Sequence, residues 1–154
     1  MRSKPHLTPK CFFVAWIFGW VTAIYVPSLL IALTAMSPLA TGENLPGDVI
    51  AVADEVAPAA KLAFAILFAG FLMIARLIGR THAALVDMVL GMAAMFLVIA
   101  LLPQDWSRGF GVGLTGLRFD ALATAIYVGG GLLSGIVFSI SEARCSTRTQ
   151  SSSQ

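Results

Sequence analysis

An aspartate, Asp87, lies inside an apolar stretch of the chain that is long enough to cross a lipid bilayer. An unpaired carboxylate in lipid is costly, so intramembrane acids usually pair with a basic group and face the interior of a helix bundle. Arg76 precedes the short turn before this stretch, and Asp87 follows it. At 1.5 Å per residue, both lie about 8 Å from the turn. We therefore predict that Asp87 pairs with Arg76, with Arg80 as the second choice.

This pair has two interpretations. In the first, Asp87 and Arg76 hold a helical hairpin together at the inner membrane interface. In the second, Asp87 is a proton- or ion-coupling carboxylate. Small residues continue on the face of Asp87, at Ala84, Gly91 and Ala94, and small residues favour close packing against a neighbouring helix. The sequence favours the structural interpretation.

Other side chains that could bind a metal or take part in catalysis lack the partners that this chemistry needs. Met88, Met92 and Met95 recur at helical spacing and could hold a soft metal such as Cu(I). Methionine is also an ordinary core residue, and no cysteine or histidine stands at the same level. Cys11 and Cys145 lack a CxxC spacing. We expect no metal, no cofactor and no catalytic residue.

Known catalytic motifs are also missing from the sequence. Gly111, Gly113 and Gly116 match the letters of a dinucleotide fingerprint, but that motif requires a preceding strand and a following helix. Here the three glycines fall in a loop between two apolar stretches. The loop could instead enter the membrane and line a pore with its carbonyl groups. We do not expect an enzyme.

The composition places the chain in a membrane. Hydrophobic residues make up 58% and charged residues 12%, whereas soluble domains are about a quarter charged. The net charge of +2 does not indicate nucleic acid as a partner. Four stretches can span a bilayer as helices, because about 20 residues of helix cover its hydrocarbon core. We predict these spans at residues 11–35, 61–77, 83–102 and 121–140.

The predicted protein is an all-α integral membrane protein, with four transmembrane helices in an antiparallel bundle. Residues 1–10 form a cytoplasmic leader, residues 11–143 the transmembrane domain, and residues 144–154 a disordered cytoplasmic tail. The first span is not expected to be a cleaved signal, since its apolar run exceeds the roughly 7–15 residues of a signal core.

Positive charges predict the orientation of the chain. Seven of the ten lysines and arginines fall on the side that holds both termini and the second loop. Cytoplasmic loops carry an excess of these residues, so we place both termini in the cytoplasm. Cys11 and Cys145 then lie at the cytoplasmic face, where thiols stay reduced. No structural disulfide is therefore expected.

The first outer loop is predicted to contain a short amphipathic helix. Val49, Val52, Ala53 and Val56 recur at i, i+3, i+4 and i+7, which indicates one apolar helix face. The opposite face holds Asp48, Asp54 and Glu55 among its residues. We expect this helix to lie on the outer leaflet with a solvated acidic face. A docking site for a basic partner or a cation is the alternative.

The fourth span carries many small residues on one broad face. Gly131 and Gly135 form a GxxxG pattern, and Ser139 extends it by one turn. Such a face allows two helix backbones to approach closely. We predict that it packs against a helix of this chain or of another chain.

These observations predict a multi-pass membrane protein without catalytic chemistry of its own. We expect a small accessory or assembly subunit of a larger complex in a bacterial inner membrane. Its partners would be the lipid bilayer and other membrane helices, in a homo- or hetero-oligomer. The alternative is a homo-oligomeric transporter or channel for a small solute or ion that uses Asp87.

Overall fold

The computed structural model describes residues 9–34, 42, 44–56, 58–79, 84–101 and 121–151, and it is helical throughout these ranges except at their ends. The five helices are α1 (Pro9–Leu33), α2 (Leu45–Glu55), α3 (Pro58–Leu77), α4 (Ala84–Leu101) and α5 (Ala121–Ser151). By length and composition, α1, α3, α4 and α5 can each cross a membrane. The prediction of an all-helical protein with four such helices is confirmed.

The helix α5 packs between α1 and α4 and runs antiparallel to both. Near one end of the bundle Cys145 of α5 meets Cys11 of α1, and further along the helices Gly130 meets Pro27. The helices α3 and α4 form a second antiparallel pair, and α3 closes the bundle by contacting α1. The helices therefore follow the order α1, α5, α4, α3 around the bundle.

The indole groups of α1 form part of the contact with α3. Trp16 Nε1 donates to the Ala65 carbonyl, and Trp20 Nε1 donates to the Lys61 carbonyl, each over 3.1 Å. The apolar core between α1, α3, α4 and α5 is built mainly from large side chains of α3, α4 and α5. Its fully buried members include Phe64, Phe68, Leu72, Met95, Ile99, Tyr127 and Phe138.

The helix α2 has the predicted apolar face, and this face packs against α1. Val52, Ala53 and Val56 are buried. The prediction for Asp48 was wrong, because its side chain is buried and Oδ2 accepts a hydrogen bond from the Gly42 amide over 2.8 Å. Since Asp48 turns back toward the residues before the helix, it is not part of a solvated acidic face.

The last helix is longer than the sequence predicted. The fourth span was expected to end at residue 140, with a disordered tail from residue 144, but α5 continues to Ser151. Ser146 and Thr147 donate their hydroxyl groups to the carbonyls of Ala143 and Arg144, over 2.9 Å in both cases. These polar residues therefore satisfy their hydrogen bonds within the helix. The chain needs no change of conformation where it becomes polar.

Candidate functional site

The turn between α3 and α4 brings Arg76 and Asp87 to the same end of the bundle. The last turn of α3 contains Arg76, and the first turn of α4 contains Asp87. After α3, Gly79 adopts φ +78° and donates its amide to the Arg76 carbonyl over 3.2 Å. This left-handed conformation is favourable for glycine and commonly ends a helix. Residues 80–83, which include the second-choice partner Arg80, lie outside the described residues.

The guanidinium of Arg76 contacts two carboxylates. Its Nη1 donates to Asp87 Oδ1 over 3.0 Å, and its Nη2 donates to Asp87 Oδ2 over 2.9 Å. Nη2 also donates to Glu142 Oε2 over 2.8 Å. The side chains of Arg76, Asp87 and Glu142 are only 5%, 0% and 7% exposed. We call these three residues the charge cluster, and it connects α3, α4 and α5.

Sequence reasoning identified Arg76 and Asp87 but missed Glu142. The fourth span was predicted to end at residue 140 and the tail to begin at residue 144, so this glutamate fell between them and received no role. One signal was available, because Glu142 follows Gly135 by seven residues and Phe138 by four. Residues at this spacing share a helix face. An acid that follows a small-residue face by two helical turns is therefore expected to point its side chain into the bundle.

Aromatic rings cover the charge cluster on its core side. The Arg76 Cζ atom lies 5.5 Å from the centroid of the Phe138 ring, which is within the range of a cation–π contact. Phe138 in turn packs edge-on against Phe12 and Phe68, with centroid separations of 5.4 and 6.0 Å. The rings separate the charges from the rest of the core. An apolar environment of this kind strengthens the attraction within the cluster.

The predicted small-residue face of α5 packs against α4 within the same chain. A Cβ atom added to Gly131 would lie 2.6 Å from the Gly91 carbonyl oxygen, and one added to Gly135 would overlap the Asp87 carbonyl. Ser139 is only half-buried. Ser134, which is not among the predicted site residues, is buried and donates to the Gly131 carbonyl over 2.6 Å. The close approach of the two backbones places Asp87 beside α5.

The two cysteines form a disulfide, with their Cα atoms 5.5 Å apart. The prediction of two reduced thiols was therefore wrong. It rested on the predicted cytoplasmic location of both residues and took no account of their proximity. Because α1 and α5 are antiparallel and packed along their length, the start of one helix meets the end of the other. The bond links these two ends about one helical turn from Glu142.

The described residues contain no group of three or more histidine, cysteine, aspartate or glutamate side chains that could hold a metal ion. The predicted methionine stripe does not line one site, since Met95 is buried in the core while Met88 and Met92 are half-buried. The charge cluster itself combines one guanidinium with two carboxylates.

Comparisons with protein families, with curated proteins and with solved structures found no match to this chain.

Proposed function

We propose that the chain is a small membrane module that acts by binding other membrane proteins, as an accessory or assembly subunit of a larger complex. The observation that carries this proposal is the charge cluster. Both carboxylate oxygens of Asp87 accept hydrogen bonds from Arg76, and both side chains are almost fully buried. Contacts among these charges join three helices, and this supports a structural role for the site.

The outer faces of α3 and α4 support the same proposal. Large apolar side chains are exposed along both helices, among them Leu62, Ile66, Met73, Ile74, Leu85, Val89 and Phe96. In a membrane such faces contact either lipid or the helix of another protein. Gly70 lies on α3, and a Cβ atom built there would have no neighbour within 4 Å. Small residues of this kind permit a partner helix to approach closely.

The test is to extract the tagged full chain from its native host in mild detergent and to weigh the complex by native mass spectrometry. A different chain at fixed stoichiometry supports the proposal, whereas the chain alone or with copies of itself contradicts it. Gly70→Leu and Gly129→Leu are matched variants, because both positions face open space and both variants should keep the fold. Loss of the partner from one variant alone would locate the docking face.

We further propose that both termini lie in the cytoplasm and that the membrane is a bacterial inner membrane. The supporting observation is the excess of lysine and arginine on the side of the termini. The disulfide at the same end opposes this orientation, since disulfides persist mainly in oxidising compartments. Fusions of alkaline phosphatase and of green fluorescent protein to the C-terminus distinguish the two possible orientations of the chain. Fluorescence without phosphatase activity supports a cytoplasmic end, and the reverse contradicts it.

A transporter or channel is the second candidate, and one specific observation favours it. Arg76 faces two carboxylates, Asp87 and Glu142, and intramembrane acids of this kind often take part in proton relays. If the second candidate is correct, Asp87→Asn and Glu142→Gln should fold and lose flux. The measurement is proton or cation uptake into proteoliposomes that contain the purified chain, followed with a dye. No uptake by the unmodified chain would exclude this candidate for the ions tested.

A further inference from the structure

A groove of about 790 Å³ runs between the start of α1 and the end of α5, on the outside of the bundle. The disulfide forms part of its wall through Cys145, which keeps the two helices together at this point. The lining residues are Val14, Phe18, Ser141, Arg144, Cys145, Thr147 and Arg148. None of these residues belongs to the charge cluster, so the groove is a separate site.

The polarity of the groove changes along its length. Val14 and Phe18 follow Cys11 by three and seven residues, which places them about 4.5 and 10 Å deeper along the bundle than the disulfide. Both side chains are exposed, Phe18 by 56%. Arg148 follows Cys145 by three residues and so lies about 4.5 Å further out. The groove thus has an apolar wall toward the membrane interior and arginines at its outer end.

The positive charge of the two arginines at this outer end is not balanced by any acidic residue among those that line the groove. Arg144 and Arg148 are exposed and four residues apart, so they are neighbours on one face of α5. Neither arginine forms an ion pair with any carboxylate among the described residues. Glu142, the acid nearest to them in sequence, is buried and paired with Arg76. A ligand that complements the outer end must therefore carry negative charge.

We propose that this groove binds an anionic phospholipid. The phosphate would lie between Arg144 and Arg148, and an acyl chain would run along Val14 and Phe18. Basic pockets between transmembrane helices are sites where acidic lipid headgroups bind. A free phosphate would satisfy the arginines and leave the apolar wall without a partner. A phospholipid matches both parts of the groove in the order in which they occur.

The experiment uses the full chain in a neutral detergent and native mass spectrometry. The chain is titrated in parallel with dioleoylphosphatidylglycerol, with dioleoylphosphatidylcholine and with inorganic phosphate. We expect one phosphatidylglycerol to be retained in preference to phosphatidylcholine. Arg144→Gln and Arg148→Gln should each weaken its binding about five-fold, and the double variant roughly 25-fold. Phe18→Ser should also weaken phosphatidylglycerol binding, which a site for the headgroup alone would not show.

The matched control is Lys10→Gln. It removes a positive charge at the same end of α1, from an exposed residue that does not line the groove, and it should leave phosphatidylglycerol binding nearly unchanged. All substituted side chains are exposed, so helical content measured by circular dichroism should stay constant. Equal retention of the two lipids, or unchanged binding by the double arginine variant, would overturn the proposal. Displacement of the lipid by millimolar phosphate would assign the site to a soluble anion instead.

Discussion

Arg76 and Asp87 lie eleven residues apart on adjacent helices and are joined by two hydrogen bonds, 3.0 and 2.9 Å long, between both Nη atoms and both carboxylate oxygens. This geometry requires a planar guanidinium, because a lysine ammonium presents its donors around a single point. Glu142 shares the Nη2 atom. Arg76 is therefore the residue that contacts both acids, and the three members of the cluster do not make equivalent contacts.

Substituting Arg76 should destabilise the protein more than substituting either acid. Arg76→Gln removes the guanidinium that Asp87 and Glu142 share, and it leaves the buried Asp87 without the two hydrogen bonds that Arg76 donates. Breaking a buried ion pair by removing one partner typically costs about 3–5 kcal/mol. We expect a marked fall in the midpoint of thermal unfolding, followed by circular dichroism in detergent. Glu142→Gln should have a small effect, because it leaves the neutral pair of Arg76 and Asp87 in place.

An exposed ion pair in the same chain provides the control. Lys61 Nζ lies 3.8 Å from Asp54 Oδ1, and the side chain of Asp54 is 78% exposed. Exposed pairs of this kind contribute less than about 1 kcal/mol, so Lys61→Gln should change the unfolding midpoint little. Equal shifts for Lys61→Gln and Arg76→Gln would mean that the buried cluster has no special structural role.

A charge reversal should reveal the contribution of Glu142. The single variants Arg76→Asp and Asp87→Arg should both reduce the amount of folded protein. The double variant should recover only part of it, because Glu142 loses its contact with Arg76 and position 76 now carries an acid. Adding Glu142→Gln lowers the negative charge on this side of the pair and should improve the recovery. Size-exclusion chromatography of detergent extracts measures the folded fraction. No recovery in either combination would contradict the pairing as the source of stability.

The glycines of α5 should differ sharply in their tolerance of a methyl group. A Cβ atom at Gly135 would overlap the Asp87 backbone, whereas one at Gly129, on the same helix, would have no neighbour within 4 Å. Overpacking of a tight contact typically costs about 1–3 kcal/mol. Gly135→Ala should therefore lower the unfolding midpoint, and Gly129→Ala should leave it unchanged or raise it. If both variants behaved alike, the close contact between α4 and α5 would not contribute to stability.

The sequence contains the information for the spans and for part of the charge cluster. Long apolar stretches predict helices because the bilayer requires them, and the short turn fixes Arg76 and Asp87 at equal depth. Glu142 and the disulfide depend instead on which helices are neighbours. The packing of α5 between α1 and α4 brings Cys145 to Cys11 and Glu142 to Arg76, and hydropathy alone does not specify that arrangement. Asp48 was assigned to the wrong face because helical periodicity does not reveal that its side chain accepts a hydrogen bond from the Gly42 amide.

The disulfide should contribute to stability and make it sensitive to reductant. It connects residues 134 positions apart, and cross-links typically stabilise by about 2–4 kcal/mol by restricting the unfolded chain. Cys11→Ser combined with Cys145→Ser should lower the unfolding midpoint. Adding a phosphine reductant to the unmodified protein should lower it equally and should not affect the double variant.

The state of the two cysteines in the cell bears on the orientation of the chain. Alkylation of intact cells with N-ethylmaleimide, followed by denaturation and intact-mass measurement, distinguishes a bonded pair from two alkylated thiols. A bonded pair indicates that this end of the bundle faces an oxidising compartment. That result would contradict the orientation predicted from the lysines and arginines. Two alkylated thiols support a cytoplasmic end. In that case the bond between α1 and α5 would form only on oxidation, and the stability difference measured with reductant would be the effect of that oxidation.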